Sequence, residues 1–316
     1  LAVSVSACAQ SPVLEHSVVP ASEPEGQGLT AHVLYQFLLG EIASQRGELQ
    51  LSAEAYADLA TRTRDARVAR RATEVALYAR QTQLALKNAR LWRELDPGSP
   101  KAMQTLASLL VGSGRLGEAK PHLHAWIKTG KEGEVFMQLH GLLAKQKDRQ
   151  AVLDLVTDLA ASYPGMPEAR FAVGQAAWQA GQGKKALAAL DEALRLKPDW
   201  ESTALFKAQV LQRVDGDAAL ESFLKDYLAA HPAPREVRLA YARQLARVGK
   251  FTESRAQFEF MTRENPDNPE AHFAVGLVAL QTNDLDSAKA SFLKALDLGH
   301  PDEGQEIGRA SCRERV

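Results

Sequence analysis

The stretch that decides the fold runs from Pro167 to Trp200 and reads PEARFAVGQAAWQAGQGKKALAALDEALRLKPDW. Its length matches the spacing of a series of prolines, because Pro164, Pro198, Pro232 and Pro266 recur every 34 residues. Each such proline ends a helix, since proline cannot continue the hydrogen-bond ladder and moves the residue before it out of the helical region. A fixed period of this length predicts tandem helix–turn–helix units.

Four units align with one another when they start at Pro167, Glu201, Arg235 and Pro269. The eighth position is always small, as shown by Gly174, Ala208, Ala242 and Gly276. A small residue near the twentieth position is followed by a bulky apolar one near the twenty-fourth; the pairs are Ala186 with Leu190, Ala219 with Phe223, Ser254 with Phe258, and Ala288 with Phe292. We expect the small residues at the helix crossing, where two backbones approach to about 8–10 Å.

The same period continues with weaker signals towards the N-terminus, in units that start near Val33, Ala66, Pro100 and Glu134. The total is about eight units, or sixteen helices. A 34-residue helix–turn–helix period is the signature of the tetratricopeptide repeat. The prediction is therefore an all-α fold, a right-handed solenoid of about eight tetratricopeptide helix-turn-helix units, that occupies residues 29–305.

The N-terminal residues resemble the start of a bacterial lipoprotein. The run Val5–Cys8 is similar to a lipobox, so residues 1–8 are interpreted as the remnant of a signal peptide and Cys8 as the site of lipid attachment. Residues 9–28 are rich in Ser, Pro and Glu, which predicts a flexible tether. Because Ala9 rather than Asp follows Cys8, the resemblance implies the outer membrane, with the chain lipid-anchored and facing the periplasm of a Gram-negative bacterium. The alternative is a fortuitous cysteine in an apolar segment.

The C-terminal residues 306–316, EIGRASCRERV, depart from the repeat pattern. A back-translation of this segment reads as a common sequencing-library adapter. Our hypothesis is that the segment is not native and that the natural chain continues beyond about Gln305.

Composition argues against nucleic acid as a partner. The chain has 38 basic and 39 acidic side chains, so it lacks the positive field that attracts a polyanion. One local exception is an arginine cluster made of Arg62, Arg64, Arg67, Arg70 and Arg71. Two interpretations remain open for this cluster: a solvated helix face with nearby acidic residues, or a surface for an acidic partner or anionic lipid.

Motifs of catalysis are missing from the sequence. It has no glycine-rich phosphate loop, no GxSxG elbow and no cysteine placed as a nucleophile. His122 and His124 are two residues apart and therefore point to different faces of a helix. We expect a protein that is not an enzyme and that needs no cofactor or metal.

The predicted binding surface is the concave face, which helix A of each unit lines. The residues on that face combine aromatic rings, amides and guanidinium groups, which suit a bound peptide or protein segment. The candidate site consists of Phe171, Gln175, Trp178, Leu205, Gln209, Arg213, Arg243, Arg247 and Phe273, with Leu239, Leu277 and Gln281 beside them. For Trp178 and Phe273 the alternative is packing between helices.

Residues 34–97 go beyond a generic repeat. Their motifs include Glu41-Ile42-Ala43, Gln45-Arg46-Gly47, Thr63-Arg64-Asp65, Val68-Ala69, Arg71-Ala72-Thr73 and Ala89-Arg90-Leu91-Trp92. The stretch resembles the N-terminal part of the outer-membrane tetratricopeptide lipoproteins of Gram-negative bacteria, in particular the pseudomonad lipoprotein that binds a periplasmic carboxyl-terminal processing protease. The resemblance implies an adaptor that holds this protease and brings it cell-wall hydrolases as substrates.

Two other functions remain open at this point. The chain could be an assembly factor for an outer-membrane machine that builds pili, inserts porins or exports polysaccharide. It could also be the substrate-recruiting repeat region of an enzyme whose catalytic domain lies beyond this sequence.

Overall fold

The computed structural model describes residues 30–299, where all regular secondary structure is helical and sixteen α-helices follow one another. The chain divides after Pro97 into two compact units, called the first unit and the second unit, each of which contains several repeats. The first unit contains α1 Ala31–Gln45, α2 Leu49–Thr63, α3 Ala66–Tyr78 and α4 Thr82–Leu95. The second contains α5 Pro100–Gly112, α6 Leu116–Ile127, α7 Glu132–Leu143, α8 Arg149–Ala161, α9 Pro167–Gln179, α10 Gly183–Leu196, α11 Glu201–Val214, α12 Asp217–Ala230, α13 Arg235–Arg247, α14 Phe251–Glu264, α15 Pro269–Gln281 and α16 Leu285–Asp297. The all-α prediction is confirmed.

The helix boundaries follow the proline period. Helices α9, α11, α13 and α15 begin at the four predicted unit starts. Prolines occupy the first position of α5, α9 and α15, where their missing N–H costs no intrahelical hydrogen bond. Pro198, Pro232 and Pro266 each lie two residues after the end of helix B, which is the second helix of a repeat unit. The sequence signal therefore marks both ends of the repeat.

In the first unit, consecutive helices pack through a core built largely from alanine. The side chains of Ala53, Ala60, Ala72 and Ala85 are fully buried, which allows the helices to approach closely. The buried hydroxyl of Ser52 donates a hydrogen bond of 2.7 Å to the carbonyl of Gly40 on the neighbouring helix. This bond fixes the crossing of α1 and α2.

The second unit uses the same crossing chemistry, because the hydroxyl of Ser254 donates a 2.8 Å hydrogen bond to the carbonyl of Ala242. The predicted need for a small eighth residue is visible at two glycines. A Cβ on Gly174 would lie 2.9 Å from the side chain of Leu190. A Cβ on Gly276 would lie 2.6 Å from the ring of Phe292. Both distances are shorter than van der Waals contact, so glycine is required for this packing.

The predicted register was wrong by one residue in the unit that starts at Glu201. Helix α12 begins at the same offset as the helix B of its neighbours, which places Leu220 and Leu224 at positions twenty and twenty-four. Both leucines are buried, whereas Ala219 and Phe223 are only partly buried. The small-then-bulky pattern exists one residue earlier in the sequence, but the helix start decides which residues face the core.

Among residues 30–299, no helix combines the length and the apolar character that crossing a membrane requires. The predicted lipid attachment at Cys8, the tether at residues 9–28 and the tail at residues 306–316 lie outside the described residues.

Candidate protein-binding grooves

Two neighbouring grooves open along the helices A of the second unit. The first groove has a volume of about 290 Å³ and lies between α11, α12 and α13. Its lining consists of Leu205, Ala208, Gln209, Gln212, Leu220, Leu224, Ala240, Arg243, Gln244 and Arg247. The second groove has a volume of about 830 Å³ and lies between α13, α14 and α15. Its lining consists of Arg235, Glu236, Leu239, Arg243, Ala246, Phe251, Phe258, Met261, Asn268, Glu270, Ala271, Phe273, Ala274, Leu277, Val278 and Gln281.

Apolar side chains form most of the second groove. Phe258 is buried at its floor and packs with Leu239 and Met261. Phe273 is held in place by the ring of Phe292, with centroids 5.3 Å apart. Leu277 remains 45% exposed on the groove wall. The groove therefore offers fixed apolar contacts that a bound segment could cover.

Charge is concentrated where the two grooves meet. Arg243 lines both of them, and Arg247 lies one helical turn further along α13. Arg247 pairs with the carboxylate of Asp217 and donates a second hydrogen bond of 2.6 Å to Gln244. The Arg247 guanidinium holds the pKa of Asp217 below its usual range. The charge of Arg247 is thus compensated within the fold.

The opposite end of the second groove carries both signs of charge. Arg235 and Glu236 start α13, and Glu270 lies in the first turn of α15. The side chain of Glu201 accepts a 2.9 Å hydrogen bond from the backbone N–H of Glu236, which fixes the start of α13. Asn268 caps α15 by accepting from the N–H of Ala271 at 3.2 Å. The helix termini at this end are thereby positioned by local hydrogen bonds.

The structure brings part of the predicted site together. Leu205 and Gln209 line the first groove, Phe273 lines the second, and Arg243 and Arg247 lie at the junction. Gln175 lines a separate small cavity with His140 and Gln179, and its side-chain oxygen is buried without a hydrogen-bond partner.

Three predicted residues are placed elsewhere. Phe171 is only 5% exposed and packs against Trp200 and Phe206, at centroid distances of 5.1 and 5.8 Å. It is a core residue and not an exposed anchor, which corrects the expectation. Trp178 is partly buried and Arg213 is exposed, and neither lines the two grooves.

Sequence reasoning missed the contribution of helix B. Phe251 and Met261 of α14 line the second groove, and Leu220 and Leu224 of α12 line the first. The prediction assigned the binding face to helix A alone. The signal in the sequence was Phe251, an apolar residue at the first position of α14, where α10 has Gly183 and α12 has Asp217.

The arginine cluster of the first unit is compensated. Arg62 pairs with Asp58, Arg67 with Asp65, and Arg70 with Glu74. Arg64 and Arg71 also have carboxylate partners, which are Glu94 and Glu41. The structure therefore favours the solvated helix face over a site for an acidic partner or lipid. Across residues 30–299, no group of three or more His, Cys, Asp or Glu is arranged to hold a metal ion.

Comparisons with known proteins identify the class of the repeats. The tetratricopeptide repeat model matches residues 136–199 and 239–303. The TPR repeat-containing protein PA4667 of Pseudomonas aeruginosa is 27% identical over 235 residues, which is 73% of this chain and 39% of that protein. The chain thus spans about two fifths of the length of this curated relative. The fold is therefore of the tetratricopeptide-repeat class, and the chain is similar in sequence to a TPR repeat-containing protein of Pseudomonas aeruginosa.

Solved structures of repeat proteins resemble parts of the chain. The structure of YrrB, titled a TPR protein with an unusual peptide-binding site, aligns with a TM-score of 0.43 and 18% identity, covering 60% of this chain and 97% of that one. MamA from Desulfovibrio magneticus RS-1 aligns with a TM-score of 0.42 and 17% identity, covering 55% and 98%. Tetratricopeptide repeats are protein-interaction scaffolds in general, and this chain contains them.

Proposed function

We propose that the chain is a non-catalytic scaffold that binds a partner protein in the two grooves of its second unit. The observation that carries the proposal is the second groove, an apolar trough of about 830 Å³ with charged residues at both ends. Apolar grooves that receive a segment of a partner protein are one of the recurring modes of peptide recognition.

The groove has the features of an interface centre. Phe273 and Phe258 are fixed by packing, so binding would not need to order them. Leu277 is exposed, and its burial by a partner would remove apolar surface from water at about 25 cal/mol per Å². Aromatic and apolar anchors surrounded by polar groups account for most of the binding free energy in protein interfaces.

For the partner, we propose a periplasmic carboxyl-terminal processing protease. The resemblance of residues 34–97 to the outer-membrane lipoproteins supports this choice. The sequence similarity to the Pseudomonas TPR repeat-containing protein, over 73% of this chain, also supports this choice. The scaffold would hold the protease at the outer membrane through an acyl chain on Cys8 and present cell-wall hydrolases to it.

The test is direct binding between the full chain and a purified processing protease whose catalytic serine is replaced by alanine, measured by biolayer interferometry. Leu277→Glu places a charge in the apolar wall and is expected to weaken binding at least tenfold. The matched control is Leu293→Glu on α16, where the leucine is 52% exposed and lies outside both groove linings. Equal affinities of the two variants would contradict the groove as the binding site. A wild-type chain that does not bind the protease would refute the choice of partner.

A further inference from the structure

The junction of the two grooves has a charge that the fold leaves uncompensated, and this charge specifies the ligand. We infer that the bound segment is a linear peptide stretch with an acidic residue between apolar residues, and that Arg243 recognises its carboxylate. The inference rests on the proposed function, because it concerns the same two grooves.

Arg243 and Arg247 differ in how their charges are satisfied. Both are exposed and lie on the same face of α13. Arg247 is paired with Asp217. Within residues 30–299, no acidic side chain forms an ion pair with Arg243. Arg243 is therefore available to a ligand, whereas Arg247 is occupied by its intramolecular partner.

The other charges of the grooves are distant from Arg243. Arg235 and Glu236 lie seven to eight residues earlier on α13, which corresponds to about 10–12 Å along the helix. Glu270 lies at the same end, in the first turn of α15. The charge of Asp217, at the start of α12, is matched by Arg247. The local potential at the junction is consequently positive.

Apolar surface lies on both sides of Arg243. On one side, the first groove presents Leu205 and Leu220. On the other, the second groove presents Leu239 and Leu277. A segment that crosses the junction would bury the guanidinium, and an apolar residue at that point would leave the charge without a partner. A carboxylate would instead form a charge-assisted hydrogen bond with it.

The experiment is selection of a phage-displayed library of random 12-residue peptides on the immobilised full chain. The wild type is expected to enrich peptides with Asp or Glu flanked by apolar residues. Arg243→Glu reverses the charge at the junction and is expected to enrich Lys or Arg at that place. The matched control is Arg213→Glu, which makes the same change at an exposed arginine of α11 outside both groove linings and should select the wild-type motif.

A second measurement gives the size of the effect. Arg243→Gln introduces the residue that occupies the equivalent positions Gln175 and Gln209 in the preceding units, so the fold should tolerate it. The dissociation constant of a selected peptide should rise about tenfold, as is typical for loss of a hydrogen bond to a charged group. Enriched peptides without acidic residues, or an acidic motif that persists on Arg243→Glu, would overturn the inference. A lack of any enrichment would also overturn it, while the proposed function would still be decided by the protease-binding measurement.

Discussion

Gly276 lies where α15 crosses α16, and its replacement by alanine tests the packing of the repeat. The substitution has two opposing effects on the free energy of unfolding. Alanine is the better residue inside a helix by about 1 kcal/mol. The added Cβ, however, would lie 2.6 Å from Cε1 of Phe292 and 2.7 Å from its Cδ1.

The steric effect should be the larger one. To restore the usual carbon–carbon separation of about 3.5–4.0 Å, the ring of Phe292 must move by about 1 Å. This ring also packs against Phe273, so it cannot move without disturbing the groove wall. Overpacking of this kind costs about 1–3 kcal/mol. We therefore expect Gly276→Ala to destabilise the protein despite the gain in helix propensity.

Gly141 provides a control, because it is also a glycine inside a helix, α7, but lies at an exposed position. A Cβ on Gly141 would meet no atom within 4 Å, so only the helix-propensity gain should remain. The assay is urea unfolding followed by circular dichroism at 222 nm, combined with hydrogen exchange of the amides in α15, since repeat arrays can open locally. Gly276→Ala should lower stability and exchange protection in α15, whereas Gly141→Ala should raise stability slightly.

The double variant Gly276→Ala/Phe292→Leu separates the two effects. If the clash with the ring is the cause, the smaller leucine should recover part of the loss, and the double-mutant cycle should show coupling. Equal stability changes for Gly276→Ala and Gly141→Ala would refute the reasoning. Additive effects of the two changes at positions 276 and 292 would refute it as well.

Three further predictions concern ionisable and anchoring groups. Burial and the hydrogen bond to Glu41 raise the pKa of Tyr56 to about 12. The stability that the protonated Tyr56 hydroxyl contributes should therefore be present below pH 10 and lost as the pH rises towards 12. Tyr56→Phe should lower the free energy of unfolding by about 1 kcal/mol at neutral pH. Melting curves recorded at a series of pH values should then no longer show the fall in stability between pH 10 and 12. Hydrogen bonds from Arg255 and Ser287 lower the pKa of Asp284 to about 2, so its contribution should be present above pH 3.8 and lost as the pH falls towards 2. In Asp284→Asn the melting temperature should fall less over that acidic range, and an unchanged profile would contradict the ion pair. Cys8→Ser should move the protein from the membrane fraction to the soluble periplasm, and persistent membrane fractionation would contradict the proposed anchor.

The sequence predicted the helix boundaries well because they depend on local chemistry. Proline placement and the 34-residue period mark the ends of helices such as α9 and α13, and the structure confirms those starts. The register inside α12 was less accessible, because the small-then-bulky pair Ala219 and Phe223 lies one residue before the positions that the helix start defines. That start follows Gly216, whose backbone has a positive φ of 84°.

The extent of the grooves could not be predicted, because it depends on neighbouring units. Phe171, Leu205 and Leu239 all occupy the fifth position of a unit, but only Phe171 packs against an aromatic residue at the sixth position of the next unit, Phe206. The residues equivalent to Phe206 in the next two units are Ala240 and Ala274, which line the open grooves. A small residue at the sixth position of the following unit thus leaves room that an aromatic ring would fill.

The most direct test of the central claim is photo-crosslinking in living cells from a benzoylphenylalanine placed at position 277. If the partner binds in the grooves, position 277 should form a covalent adduct with the processing protease, and position 293 on α16 should form none. An adduct with the protease from position 293 but none from position 277 would contradict binding in the grooves.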